Sequence, residues 1–69
     1  MDIRKVFGRK VRELREKLDL SQEAFADEIG LHRTYISGVE RGVRNPTITV
    51  VEKIARGLGV APADLLPKR

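Results

Sequence analysis

Residues 20–42 read LSQEAFADEIGLHRTYISGVERG, and this stretch decides the fold. Two short apolar patterns with helical spacing lie on either side of Gly30, separated by about three residues. A connection this short forces two helices to cross steeply, at roughly 90–120°. The crossing needs a small residue where the backbones meet, and Ala26 lies one turn before Gly30. An ordinary helical hairpin would tolerate a bulky residue at position 26, so we predict a helix-turn-helix over about residues 21–41. Its expected packing residues are Phe25, Ala26, Ile29, Gly30, Leu31, Ile36 and Val39.

The segments outside this motif also have helical patterns. Before it, apolar residues recur every three or four positions until about residues 19–20: Ile3, Phe7, Val11, Leu14 and Leu18. After it, Thr49 and Glu52 form a capping-box pattern that opens a fourth helix, although Thr47 could cap instead. Residues 62–66 predict a last short helix, which Pro67 stops. We therefore predict an all-α, compact five-helix bundle that forms a single domain over residues 1–69.

Composition narrows the function classes. The chain has a net charge of +4 and no cysteine, so disulfides and thiolate metal sites are excluded. With one histidine and no clustered acidic pair, we expect no enzyme, no metal, no cofactor and no small-molecule ligand. No apolar run approaches the roughly 20 residues of a membrane span, and no signal peptide is evident, so we expect a cytoplasmic, nucleoid-associated protein without membrane contact. The positive charge suggests double-stranded DNA as partner, although a generic soluble surface could carry it too.

The third predicted helix, about residues 33–41, has the composition of a helix that reads DNA. With Ile36 and Val39 directed inward, Arg33, Thr34 and Ser37 point away from the core. Such a row of mixed polar side chains can bind base edges in the major groove. For Arg33 the alternative is an ordinary solvated charge.

Two neighbouring positions on this helix are less clear. Tyr35 could lie half-packed against the second helix or reach the DNA. Glycine inside a helix costs roughly 1 kcal/mol relative to alanine, so we interpret Gly38 as a position that lets the helix approach the duplex closely.

The run LSQEAFADEIGLHRTYISGVERG followed by RNPTITVVEKIARGLGV resembles the lambda-repressor/Cro type of helix-turn-helix regulator over about residues 4–66. Within that family, HRTYISGVERGVRNPTI resembles the controller proteins of restriction–modification systems. The resemblance implies a sequence-specific transcriptional regulator in which Tyr35 reaches the DNA. It also implies an ion pair between Arg15 and Glu40, and contact of Gln22 with the DNA backbone. Relatives often have Ser or Thr where this chain has His32, which is a weaker cap, so the helix start frays or the imidazole has a phosphate nearby.

Further phosphate contacts are expected around the ends of the helix-turn-helix. The predicted DNA-backbone residues are Gln22, His32, Arg41, Arg44, Asn45 and Thr47. For the loop residues among them, simple solvation is the alternative. The acidic residues of the second helix, Glu23, Asp27 and Glu28, should face away from DNA.

Regulators of this type usually bind near-palindromic operators as two-fold dimers, so we expect a homodimer. The candidate dimer residues are Val60, Ala61, Leu65 and Leu66, with Ile48 or Val51 as possible contributors. Leu65 could equally close the core, and the last helix is shorter than in the controllers. An antitoxin-type protein of this fold, which also binds a partner protein, is the alternative function.

Overall fold

The computed structural model describes residues 1–67, and this part of the chain contains four α-helices and no strand. They are α1 (Ile3–Lys17), α2 (Gln22–Ile29), α3 (Arg33–Arg41) and α4 (Ile48–Leu58). The all-α prediction is confirmed, but the five-helix count is wrong, because Pro62–Leu65 forms only a 3-10 turn. Pro67 forces Leu66 into an extended conformation (φ −103°, ψ 154°), which leaves too few residues for α-helical hydrogen bonds.

Short-range capping sets the helix boundaries. Ser21 caps α2, since its hydroxyl accepts a 3.0 Å hydrogen bond from the Ala24 N–H, and Gly30 ends α2 in the left-handed conformation (φ 72°). The fourth helix is capped by Thr47, whose hydroxyl accepts from Val50 at 3.3 Å. The predicted capping box at Thr49 is therefore wrong, because that residue already lies inside the first turn.

The core is made of side chains from all four helices and the 3-10 turn. Its buried members are Phe7, Val11, Phe25, Ala26, Ile36, Val39, Ile54, Ala55, Leu58 and Leu65. Leu65 is only 1% exposed, so of its two expected roles it closes the core and is not available as a dimer contact: the turn packs this side chain against α1 and α4. In residues 1–67 we find no helix with the length and apolarity of a membrane span.

Two glycines allow close helix packing that was not predicted from the sequence. A Cβ at Gly8 would collide with the Val39 carbonyl oxygen and lie 2.8 Å from that of Glu40. Here α1 therefore meets the backbone of α3 directly. A Cβ at Gly57 would similarly collide with Ile29, where α4 crosses α2. The position of α3 thus depends on Gly8 as well as on the small, buried Ala26.

Candidate nucleic-acid interface

One face of α3 is polar and accessible, while the opposite face is fixed in the core. Ile36 and Val39 are fully buried. The accessible side chains are those of Arg33, Thr34, Ser37 and Arg41, which we call the polar face. Arg41 continues the row begun by Arg33 and Ser37, because residues four apart share one helix face, and its Nε donates to the Ser37 carbonyl at 3.4 Å.

The start of α3 is capped by a histidine. The His32 Nδ1 accepts a 3.3 Å hydrogen bond from the Thr34 N–H, so the imidazole satisfies one of the free amides of the first turn. In neutral histidine, an accepting Nδ1 implies that Nε2 carries the proton. The exposed Nε2–H is then available as a donor to an anion.

Beside the polar face, a buried ion pair connects α1 with α3. Arg15 Nε and Nη2 donate to the two Glu40 carboxylate oxygens at 2.7 and 3.0 Å, and Arg15 Nη1 donates to the Leu20 carbonyl at 2.6 Å. The two side chains are only 9% and 3% exposed. Hydrogen bonding to Glu40 raises the pKa of Arg15 above its ordinary value. The charge of Glu40 is therefore neutralised within the scaffold.

The same carboxylate also positions the first residue of α2. Gln22 Nε2 donates to Glu40 Oε1 at 3.1 Å, and this holds the amide at the N-terminal end of α2. One amide hydrogen of Gln22 is used in this bond. The second hydrogen and the free backbone N–H groups of the helix end are left for an external acceptor.

The acidic residues of α2 lie in different surroundings. Glu28 lines a cleft with α4 residues, away from the polar face. By contrast, Glu23 Oε2 lies 3.9 Å from Arg33 Nη1, although both side chains are well exposed (69% and 64%). The prediction that the acidic run lies away from this surface is therefore wrong for Glu23. The reason is that the first turn of α2, which contains Glu23, lies beside the first turn of α3, which contains Arg33.

On the other flank of α3, Arg44 reaches back from the loop after the helix. Its guanidinium carbon lies 5.6 Å from the centre of the Tyr35 ring, a cation–π distance. A Cβ at Gly38 would lie 2.7 Å from Arg44 Cγ. The interpretation of Gly38 as a gap facing the duplex is therefore wrong: the stem of Arg44 fills that space and buries the glycine. Tyr35 is half-buried against the core and supports Arg44.

The predicted loop residues lie near the polar face, whereas the dimer candidates lie elsewhere on the domain. Asn45 and Thr47 are exposed in the same loop as Arg44. Of the dimer candidates, Val60 packs partly against the core, whereas Leu66 is 42% and Ile48 86% exposed. Within residues 1–67, no group of three or more His, Cys, Asp or Glu side chains is arranged to hold a metal ion.

Comparison with known proteins gives consistent matches over nearly the whole chain. A family profile described as Helix-turn-helix matches residues 11–65. Control protein C.BamHI of Bacillus amyloliquefaciens is 54% identical over 66 residues, which cover 94% of this chain and 82% of the relative.

Two solved structures have the same fold. The restriction–modification controller protein C.AhdI from Aeromonas hydrophila superposes with a TM-score of 0.87 and 44% identity, covering 90% of this chain and 94% of that one. Controller protein C.Esp1396I, solved as a tetramer in complex with its natural 35 base-pair operator, superposes with a TM-score of 0.81 and 35% identity, covering 90% and 82%.

Proposed function

Because the chain belongs to the helix-turn-helix family and is similar to restriction–modification controller proteins, we propose that it is a sequence-specific DNA-binding transcriptional regulator. The observation that carries this proposal is the polar face of α3. Arg33, Thr34 and Ser37 are held on a helix whose opposite face is fully buried, so they can enter a major groove as a row, while Arg41 at the end of the helix can reach the DNA backbone.

The first residues of α3 are assigned to base reading. Arg33 can donate two hydrogen bonds to O6 and N7 of guanine, worth about 1–3 kcal/mol of discrimination. Thr34 and Ser37 can bond to bases or phosphates, and the Thr34 methyl can pack on a thymine methyl. Before Arg33 binds a base, it must leave Glu23, and an exposed pair at 3.9 Å opposes this by at most about 1 kcal/mol.

Residues on both flanks of α3 are assigned to the DNA backbone. On one side, the second amide hydrogen of Gln22 and the Nε2–H of His32 can donate to phosphate oxygens. On the other side, Arg44 is held over Tyr35 and can bind the opposite strand, with Asn45 and Thr47 beside it. These contacts would fix the register of the helix without reading sequence.

We further propose that two copies bind one near-palindromic operator. The domain measures 31 × 22 × 21 Å, so one copy covers about one half-site, and half-sites of such regulators lie roughly 34–36 Å apart. The exposed apolar side chains of Ile48 and Leu66 are the best candidates for the dimer contact, and Val60, which lines a cleft with Leu66, is a further candidate. C.Esp1396I, which assembles as a tetramer on its operator, supports association of copies.

The base-reading assignment is tested by selecting bound duplexes from a random pool and then measuring affinities of variants. Arg33→Ala should lose preference at one base pair per half-site, a change of about 1–3 kcal/mol. Arg44→Ala should weaken binding to all sequences together and reduce the slope of log K against log salt by about 0.9 per protomer. Equal losses of both variants on every sequence would contradict the role of Arg33. Equal binding of the unmodified chain to all duplexes would contradict the function itself.

The dimer is tested separately by sedimentation. Ile48→Glu replaces an 86% exposed side chain, so the domain should remain folded while the apparent mass falls toward that of one chain. An unchanged dimer in this variant would show that the contact lies elsewhere.

A further inference from the structure

One exposed face of α1 carries a row of basic residues that takes no part in the DNA contacts proposed for α3 and its flanks. Lys5, Arg9 and Arg12 follow one another at spacings of four and three residues, so they share one helix face, and all three are exposed. Together with Glu40 and Arg41 of α3 they line a shallow cleft between the two helices. We refer to Lys5, Arg9 and Arg12 as the basic stripe.

The cleft keeps a positive charge after its ion pairs are considered. Glu40 is neutralised by Arg15, and Arg12 pairs with Glu16 at 3.3 Å on the exposed surface. Within residues 1–67, neither Lys5 nor Arg9 has a carboxylate oxygen within 4.0 Å. These like charges repel one another in the free protein, and an anion in the cleft would relieve that repulsion.

The stripe is continuous with the polar face of α3. Gly8 brings α1 onto the backbone of α3, and Gly42, the C-cap of α3, lies directly against Lys5. Arg41 belongs both to the polar face and to the cleft. A duplex that follows the polar face toward the C-terminal end of α3 therefore next meets the basic stripe.

We propose that the basic stripe, with Arg41, binds backbone phosphates of DNA that flank the base pairs read by α3. This inference rests on the proposed function and extends its footprint. From residue 5 to residue 12 the stripe is about 10 Å long, since an α-helix rises 1.5 Å per residue. That length corresponds to about three nucleotides of one strand along the duplex axis. Such contacts depend on phosphate alone and carry no sequence preference.

The test is a salt titration of DNA binding with the double variant Lys5→Gln/Arg9→Gln. Both side chains are exposed, so folding should be unaffected. On a selected duplex with long flanks, the slope of log K against log salt should fall by about 1.8 per protomer, with the same base preferences. The matched control is Lys53→Gln/Arg56→Gln on α4, which removes the same charge from residues that line a cleft with Glu28. The control should change the slope by much less.

A second measurement uses duplex length. When the flanks are shortened to the bases read by α3, the unmodified chain should lose affinity and the Lys5→Gln/Arg9→Gln variant should not. A double variant with the slope of the unmodified chain, or of the control, would overturn the proposal while sequence-specific binding remains. If the unmodified chain shows no sequence preference, the proposed function itself is contradicted. That outcome differs from one in which sequence-specific binding remains and only the role of the basic stripe is contradicted.

Discussion

The Arg15–Glu40 pair provides the sharpest prediction about stability. Its two hydrogen bonds of 2.7 and 3.0 Å lie in a setting where the side chains are 9% and 3% exposed. Glu40→Leu would leave the buried arginine charge without a carboxylate, although Nη1 keeps its bond to the Leu20 carbonyl; the loss of a buried counter-ion costs about 3–5 kcal/mol. A natural domain of this size has a free energy of unfolding of about 3–10 kcal/mol, at 0.05–0.15 kcal/mol per residue. The single variant should therefore retain at most about 7 kcal/mol and unfold at a much lower urea concentration than the unmodified chain.

The companion variant Arg15→Met/Glu40→Leu should recover most of the lost free energy of unfolding. Replacing a buried ion pair with apolar side chains of similar volume is often neutral, or stabilising by about 1–4 kcal/mol. Gln22 loses its acceptor in both variants, so the double variant should bind DNA more weakly than the unmodified chain even where it is fully folded. Urea unfolding followed by circular dichroism measures the first effect, and DNA titration measures the second.

The matched control is Glu16→Leu, which removes the acid of the exposed Arg12–Glu16 pair. Exposed pairs contribute about 0–1 kcal/mol, so this variant should unfold close to the unmodified chain. If Glu40→Leu cost as little as Glu16→Leu, the reasoning from burial would be refuted.

Three further variants test local features. Gly8→Ala should destabilise by about 1–3 kcal/mol in thermal or urea unfolding, although alanine favours helix, because its methyl group would collide with the α3 backbone; a stabilised variant would contradict the close approach. Thr47→Ala should cost about 1 kcal/mol through loss of the α4 cap, and Thr49→Ala should cost less; the reverse order in the same assay would contradict the capping assignment. Glu23→Gln should change the free energy of unfolding by less than about 0.5 kcal/mol and strengthen DNA binding severalfold at low salt. Unchanged affinity would place Glu23, and the Arg33 beside it, away from the bound duplex.

The local elements were the part of this protein that could be predicted well. The apolar periodicity around Gly30 predicts a helix-turn-helix over about residues 21–41, and its two helices lie at Gln22–Ile29 and Arg33–Arg41. These features depend on the backbone and on hydrogen bonds within a few residues, so the order of residues contains the information. The prediction of a fifth α-helix was wrong because, over only four residues, a single proline decides between a 3-10 turn and an α-helix.

The surroundings of the polar face depended on contacts between residues distant in sequence. Three such contacts join different elements of the fold: Glu23 lies beside Arg33, Arg44 lies over Tyr35, and Lys5 lies against Gly42. The distance between the elements in each contact is set by how the helices pack together.

The sequence by itself determined which helices form and which side of α3 is apolar, because both follow from residue type at helical spacing. Only the tertiary structure showed why glycine is required at positions 8 and 38. A missing side chain has no pattern of its own, and its purpose is visible only in the atoms that occupy its space, which are the α3 backbone at Gly8 and the stem of Arg44 at Gly38. The role of Leu65 was also visible only in the tertiary structure. An apolar residue can fill a core or an interface, and only the packing of the whole domain selects between them.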